Sequence, residues 1–126
     1  MQVDQRHGDS REIGKRAEDD ACQYLQRQGL KLVARNYHRR CGEIDLIMED
    51  AGTLVFVEVR YRRSIAFGSG AETVTRTKQD KIARTAAHFL QEHRRYAGSA
   101  ARFDVISCSP GRGDGAVDWI RDAFHP

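Results

Sequence analysis

The sequence predicts an α/β domain in which a mixed β-sheet is flanked by two helices in the order α-β-β-β-α-β. Three observations carry this expectation. The segment Thr53–Tyr61 is apolar on both of its faces, which marks a central strand covered on each side. Two longer segments, one before the strands and one after them, place apolar residues at helical spacing. The chain has 126 residues and only two prolines, Pro110 and Pro126, with no repeat or proline-rich linker, so it holds one domain's worth of sequence.

Residues 11–28 read as the first helix. Asp9 followed by Glu12 has capping-box spacing, Gly29 supplies the stop, and Gly14, Ala17, Ala21 and Leu25 form the inner stripe. Residues 1–10 are expected to be flexible. Strands follow at 30–37, 42–49 and 53–61, the last two joined through Asp50-Ala51-Gly52 as a hairpin. A looser stretch, 62–73, contains Gly68 and Gly70. The second helix runs from 75 to 96 with Ile82, Ala83, Ala86, Phe89 and Leu90 inward. Residues 102–108 form another strand, 110–115 a glycine-rich turn, and 116–124 a short strand or extended tail.

Composition narrows the function classes. The longest aliphatic-aromatic run is Leu54-Val55-Phe56-Val57, far short of the ~20 residues of a membrane helix, and the mean hydropathy is −0.66. The first ten residues lack the apolar core of a secretory signal, so a cytoplasmic location without membrane association is expected. Cys22, Cys41 and Cys108 form no CxxC pair and leave one over, which indicates neither a disulfide framework nor a zinc knuckle. The five histidines lack metal-ligand spacing, and the glycine-rich turn lacks a P-loop lysine. Trp119 and Tyr61 could stack on bases, although packing is the more frequent use.

The net charge of +3 permits a nucleic-acid partner without demanding one. Its distribution is more informative. From Arg60 to Arg84 there are seven basic residues against Glu72 and Asp80. Arg62, Arg63, Arg76, Lys78, Lys81 and Arg84 therefore form the candidate nucleic-acid surface, although a solvated face is the commoner use of such a cluster. Arg35, His38, Arg39 and Arg40 form a second basic group.

The hairpin carries the chemistry. Along 53–61, Val55, Val57, Val59 and Tyr61 share one face, and Leu54, Phe56, Glu58 and Arg60 share the other. Glu58 thus interrupts a buried pattern and needs a partner, a proton or a metal. On the preceding strand Ile44, Leu46 and Met48 are expected on one face, and Glu43, Asp45 and Ile47 on the other. A two-residue turn at Ala51-Gly52 would set Asp45 opposite Glu58 and Glu43 opposite Arg60; a three-residue turn would pair Asp45 with Val57 and separate the acids. Facing carboxylates repel, and Mg²⁺ or Mn²⁺ removes the conflict, with the Val59 carbonyl and waters as further ligands. Glu18 lies on the inner stripe of the first helix and is expected to reach the same ion. Singly, each acid has a structural account: Glu43 with Arg60 as a cross-strand pair, Asp45 near the sheet edge, and Glu58 paired with Arg102 or Arg35.

The pattern Gly42-Glu43-Ile44-Asp45-Leu46-Ile47 followed by Val55-Phe56-Val57-Glu58-Val59-Arg60 resembles the D…ExK core of the PD-(D/E)XK nuclease superfamily. With Gly14, Ala17-Glu18, Arg35-Asn36-Tyr37, Phe67-Gly68, Val74, Lys78-Gln79 and Arg102-Phe103-Asp104-Val105, the chain from about Gly14 to Phe124 resembles the YraN-like family of uncharacterised bacterial proteins, which is similar to archaeal Holliday junction resolvases. The resemblance implies a restriction-endonuclease-like core and a metal-dependent nuclease acting on structured or branched DNA. It implies catalytic roles for Glu18, Asp45, Glu58 and Arg60, with metal ligation by Glu18, Asp45, Glu58 and the Val59 carbonyl; a homodimer is left open. Arg60 stands where the pattern has lysine. Arginine can stabilise transition-state charge, but it does not give up its proton and cannot act as a base. Lys78 or Lys81 could supply an ammonium instead. The alternative, fed by Arg60, is a catalytically inactive module of the same fold that binds nucleic acid or protein.

Overall fold

The structure, a computed structural model, describes residues 2–62, 74–109 and 117–126. Its elements are α1 (Gln2–Arg27), β1 (Lys31–Arg39), β2 (Gly42–Asp50), β3 (Thr53–Tyr61), α2 (Arg76–Glu92), β4 (Ala101–Cys108) and β5 (Val117–Ile120), with a 3₁₀ turn at Arg94–Tyr96. The five strands form one mixed sheet in the order β1-β2-β3-β4-β5. All neighbours are antiparallel except β3 and β4, which run parallel because α2 carries the chain between them. β3 is therefore the middle strand, as its two apolar faces require. No described helix is long and apolar enough to cross a membrane.

The helices cover opposite faces. Ala17, Ala21 and Leu25 of α1 are buried against Leu46, Met48, Val55 and Val57. Ile82, Ala86 and Phe89 of α2 are buried against Ile47, Leu54, Phe56 and Val105. The alternation of β3 thus distributes its side chains between two separate cores. Phe56 and Phe89 meet edge to face at 6.2 Å, and Phe56 stacks on Phe103 at 5.6 Å, which ties β3 to α2 and β4.

Four details differ from the sequence expectation. α1 continues back to Gln2 through Asp9, so the Asp9–Glu12 pair does not mark its start; no proline interrupts that stretch. Gly14 is exposed, and the inner stripe begins at Ala17. Ile44 packs with the α2-side core, whereas Leu46 and Met48 pack with α1. The alternation breaks at Asp45, whose carboxylate takes the Val59 N–H in place of a regular ladder bond. Across from Asp45, between the pairs Arg35–Leu46 and Tyr37–Ile44, Asn36 has a left-handed backbone with φ 51°. The expected helix end at Gly29 holds: Leu30 N–H donates to Leu25 O at 3.0 Å and Gly29 N–H to Gln26 O at 3.0 Å, the paired bonds of a Schellman motif. α2 starts where Thr75 Oγ1 accepts the Lys78 N–H at 3.2 Å, and it ends at Glu92, short of the expected Tyr96.

Asp104 on β4 is fully buried and held on all sides. Arg102 Nε donates to it at 3.0 Å, Trp119 Nε1 at 2.9 Å and the Asp122 N–H at 2.9 Å, while Arg102 also reaches Asp50 at 3.0 Å. Arg102 is thus committed to Asp104 and Asp50 rather than to Glu58, and Trp119 serves this network while meeting Tyr24 of α1 edge to face. Because a hydrogen bond to a buried charge is worth about 1.5–3 kcal/mol, Trp119→Phe should lower unfolding stability by that amount. A urea midpoint matching that of wild type would show that the other donors suffice.

Candidate active site

The register expected from a two-residue turn is present. Ala51 (φ 50°) and Gly52 (φ 91°) both adopt the left-handed conformations of a type I′ turn, and the β2–β3 pairs run from Asp50–Thr53 to Leu46–Val57. The next residues along the two strands are Asp45 and Glu58. Beyond the last regular pair, Asp45 Oδ2 accepts the Val59 N–H at 2.9 Å, which fixes the carboxylate beside Glu58.

A cavity of about 410 Å³ opens at this point, lined by Glu43, Asp45, Glu58, Val59 and Arg60 from the strands and by Lys78, Lys81 and Ile82 from α2. Three acids there face three cations. Gly42 lets the helix come close: a Cβ at that position would lie 3.0 Å from Thr85 Oγ1 and 3.4 Å from Lys81 Cβ. Glu58 is only 5% exposed and is met by Lys78 Nζ at 2.8 Å and Arg60 at 3.3 Å. The first turn of α2 contains no acid, so its lysine opposes the helix dipole, and the Glu58 carboxylate offsets that cost.

Asp45 is the electrostatic anomaly. Burial, then the neighbouring charge of Glu58, and to a lesser extent Glu18 and Glu43, push its pKa up from 3.8 to about 7, against the opposing hydrogen bond from Val59. Near neutral pH this carboxyl is close to the point of holding or releasing a proton. Such a group, in a cleft with cations at its rim, is a candidate for a functional site on physical grounds.

The expected residues are not all drawn together. Asp45, Glu58, Val59 and Arg60 line one cavity with Lys78 and Lys81. Glu18 contributes to the field at Asp45, but it bonds Arg35 at 3.5 Å and lines a different cavity on the α1 side. Among the described residues no three His, Cys, Asp or Glu side chains are grouped closely enough to hold a metal ion. The basic surface also divides. Lys78 and Lys81 belong to the cavity, Arg84 is exposed farther along α2, and Arg76 pairs with Asp80 at 3.3 Å. Arg62 lies 4.0 Å from Asp118 of β5, and Arg63 falls outside the described residues, as do the 63–73 and 110–116 segments. The direct contact of Lys78 with Glu58 was not legible from spacing, because it depends on where the crossover sets α2 down.

The model of "Uncharacterised protein family UPF0102" matches residues 17–108, most of the chain and strands β1 to β4. The chain belongs to this family. It is 47% identical over 115 residues to a UPF0102 protein of Nitrosococcus oceani, covering 91% of this chain and 93% of that relative. It is 50% identical over 113 residues to one of Saccharophagus degradans, covering 90% and 92%. A further UPF0102 protein, from Methylobacillus flagellatus, is 48% identical over 115 residues. The family match agrees with the YraN-like resemblance read from the motifs. The matched span of this UPF0102 member begins at Ala17 and so includes Glu18, Asp45, Glu58, Arg60, Lys78 and Lys81.

Proposed function

We propose that this UPF0102 member is a metal-dependent endonuclease that cleaves phosphodiesters in structured or branched DNA. One observation carries the reading: Asp45 and Glu58 from adjacent strands meet Lys78 and Lys81 from α2 around one open cavity. The donors fit Mg²⁺ or Mn²⁺ as a two-carboxylate site, since Mg²⁺ commonly binds through one or two carboxylates and keeps several waters. Asp45, Glu58 and the Val59 carbonyl would hold the ion, and the raised pKa of Asp45 fits a carboxylate lacking its counter-charge. A bound divalent ion would supply Lewis-acid charge at the phosphate and acidify the attacking water.

The chain's own groups account for the remainder of the chemistry. The Val59 N–H holds the Asp45 carboxylate in place. Lys78, 45% exposed at its side chain, spans from Glu58 to solvent and can follow developing charge on the phosphate. It occupies the role for which the superfamily pattern has the ExK lysine. Arg60, beside the same carboxylate, adds fixed positive charge and cannot act as the base. Lys81 and Arg84 extend the cationic surface along α2 for neighbouring phosphates.

The ion pairs at Glu58 also favour a second reading. With Lys78 and Arg60 both on it, Glu58 has counter-charge without a metal, as an inactive binding module of this fold would require. Cleavage of linear, single-stranded, flapped and four-way DNA with Mg²⁺ or Mn²⁺ decides between them. Turnover abolished by Asp45→Ala is expected; a wild-type protein inert on every substrate with either metal would leave the binding module as the better account.

A further inference from the structure

The α1-side cavity has a charge pattern that the site around Asp45 does not use. It is a shallow, open depression of about 590 Å³ lined by Arg11, Gly14, Lys15, Glu18, Arg35 and Asn36. Arg11 and Lys15 are exposed and stand one helical turn apart, a like-charge spacing that is unfavourable in an isolated helix. Arg35 enters from β1, oriented by Asp19 at 2.8 Å and Glu18 at 3.5 Å, and its side chain remains 31% exposed. Three cations therefore share this wall with one carboxylate, while Asp19 holds Arg35 from outside the lining. The space beside Gly14 is open, since a Cβ there would meet nothing within 4 Å.

Position gives this cavity its meaning. Asn36 lies across from Asp45 in the β1–β2 ladder and holds a left-handed backbone that non-glycine residues adopt at a cost. Its exposed side-chain amide adds a hydrogen-bond donor to the lining. Glu18 connects the two sites electrostatically, because it lines this cavity and its charge acts on Asp45. A guanidinium fork, an ammonium and an amide suit a phosphate group.

We propose that Arg11, Lys15, Arg35 and Asn36 form a seat for a backbone phosphate of the nucleic-acid strand whose scissile phosphate lies at Asp45 and Glu58. This rests on the nuclease reading and extends it. The strand then crosses the end of the sheet, with α1 cations on one side of the acids and Lys78 and Lys81 on the other. Such a seat fixes the direction and register of the strand without reading its sequence.

Binding to the full chain tests the seat. A labelled single strand and a four-way junction are titrated at several salt concentrations without divalent metal, so that cleavage does not intervene. Arg11→Gln with Lys15→Gln should weaken binding to both and reduce the slope of log affinity against log salt by about 1, with melting unchanged. Asn36→Gly, which suits the left-handed backbone and removes only the amide, should weaken binding several-fold. Wild-type binding with an unchanged affinity and slope in the double variant overturns the seat. In that case, Asp45-dependent cleavage that the double variant retains in full leaves the nuclease reading standing. A wild-type protein that binds neither DNA overturns the seat as well, and its lack of metal-dependent cleavage would identify the nuclease reading as the failure.

Discussion

Asp45→Asn is expected to stabilise the protein at alkaline pH and to change its stability little in acid. The sign follows from proton linkage. The folded protein holds the Asp45 proton up to about pH 7, whereas the unfolded chain releases it near 3.8. The folded state therefore binds more protons between those values, and wild-type stability falls as pH rises through that window. Below it the cost is absent, and above it the cost is complete. At 1.36 kcal/mol per pKa unit the full difference has an upper limit of about 4 kcal/mol. Asparagine removes the charge while its carbonyl oxygen can still accept the Val59 N–H. Urea titrations of both proteins at about pH 3 and pH 8, bracketing the linkage window, should show a gap that opens with pH. A gap that does not change with pH would mean that Asp45 ionises without penalty. Mg²⁺ or Mn²⁺ should close part of the gap by stabilising wild type at the higher pH, because a ligand bound only by the folded state adds RT ln(1 + [L]/Kd). The variant should not respond, and it should not cleave.

Lys78→Ala is expected to lower cleavage by 10²–10³, the range for losing one preorganised donor to transition-state charge and about 2.7–4 kcal/mol. Arg60→Lys should be tolerated, because it keeps a cation beside Glu58 and matches the superfamily pattern. The difference is between a cation lost and a cation kept, since both side chains touch one Glu58 carboxylate oxygen. Stability gives the contrast. If Lys78 serves only to neutralise Glu58, Lys78→Ala will lower stability, a double-mutant cycle with Glu58→Gln will recover that coupling in unfolding free energy, and the cleavage rate of the folded Lys78→Ala protein will match wild type. A lowered rate in the folded Lys78→Ala protein is the outcome expected of a residue that meets the phosphate.

The central strand and the hairpin were determined by local sequence alone, and the placement of Asp45 beside Glu58 was one of two registers the sequence allowed. Apolar residues on both faces of Thr53–Tyr61 call for a covered strand, which follows from period alone, whereas the sequence left two turn lengths open and the left-handed Ala51 and Gly52 of the structure chose between them. The same reasoning located both helices and the end of α1 at Gly29. The fate of Glu18, Lys78 and Arg102 was decided only by the tertiary structure. A helical stripe tells which way Glu18 leans, but not that Arg35 of β1 bonds it before it reaches the strand acids. Lys78 meets Glu58 because the β3–α2–β4 crossover sets the first turn of α2 against the end of the sheet. Arg102 turns to Asp104 because β5 closes over that carboxylate and leaves a buried charge that must be satisfied. Ile44 changes sides for a related reason: Asp45 takes a backbone hydrogen bond, and the strand's alternation yields to it. Periodicity reports the face a residue occupies; the partner it finds there depends on segments distant in sequence, and those are brought together only by the packed fold.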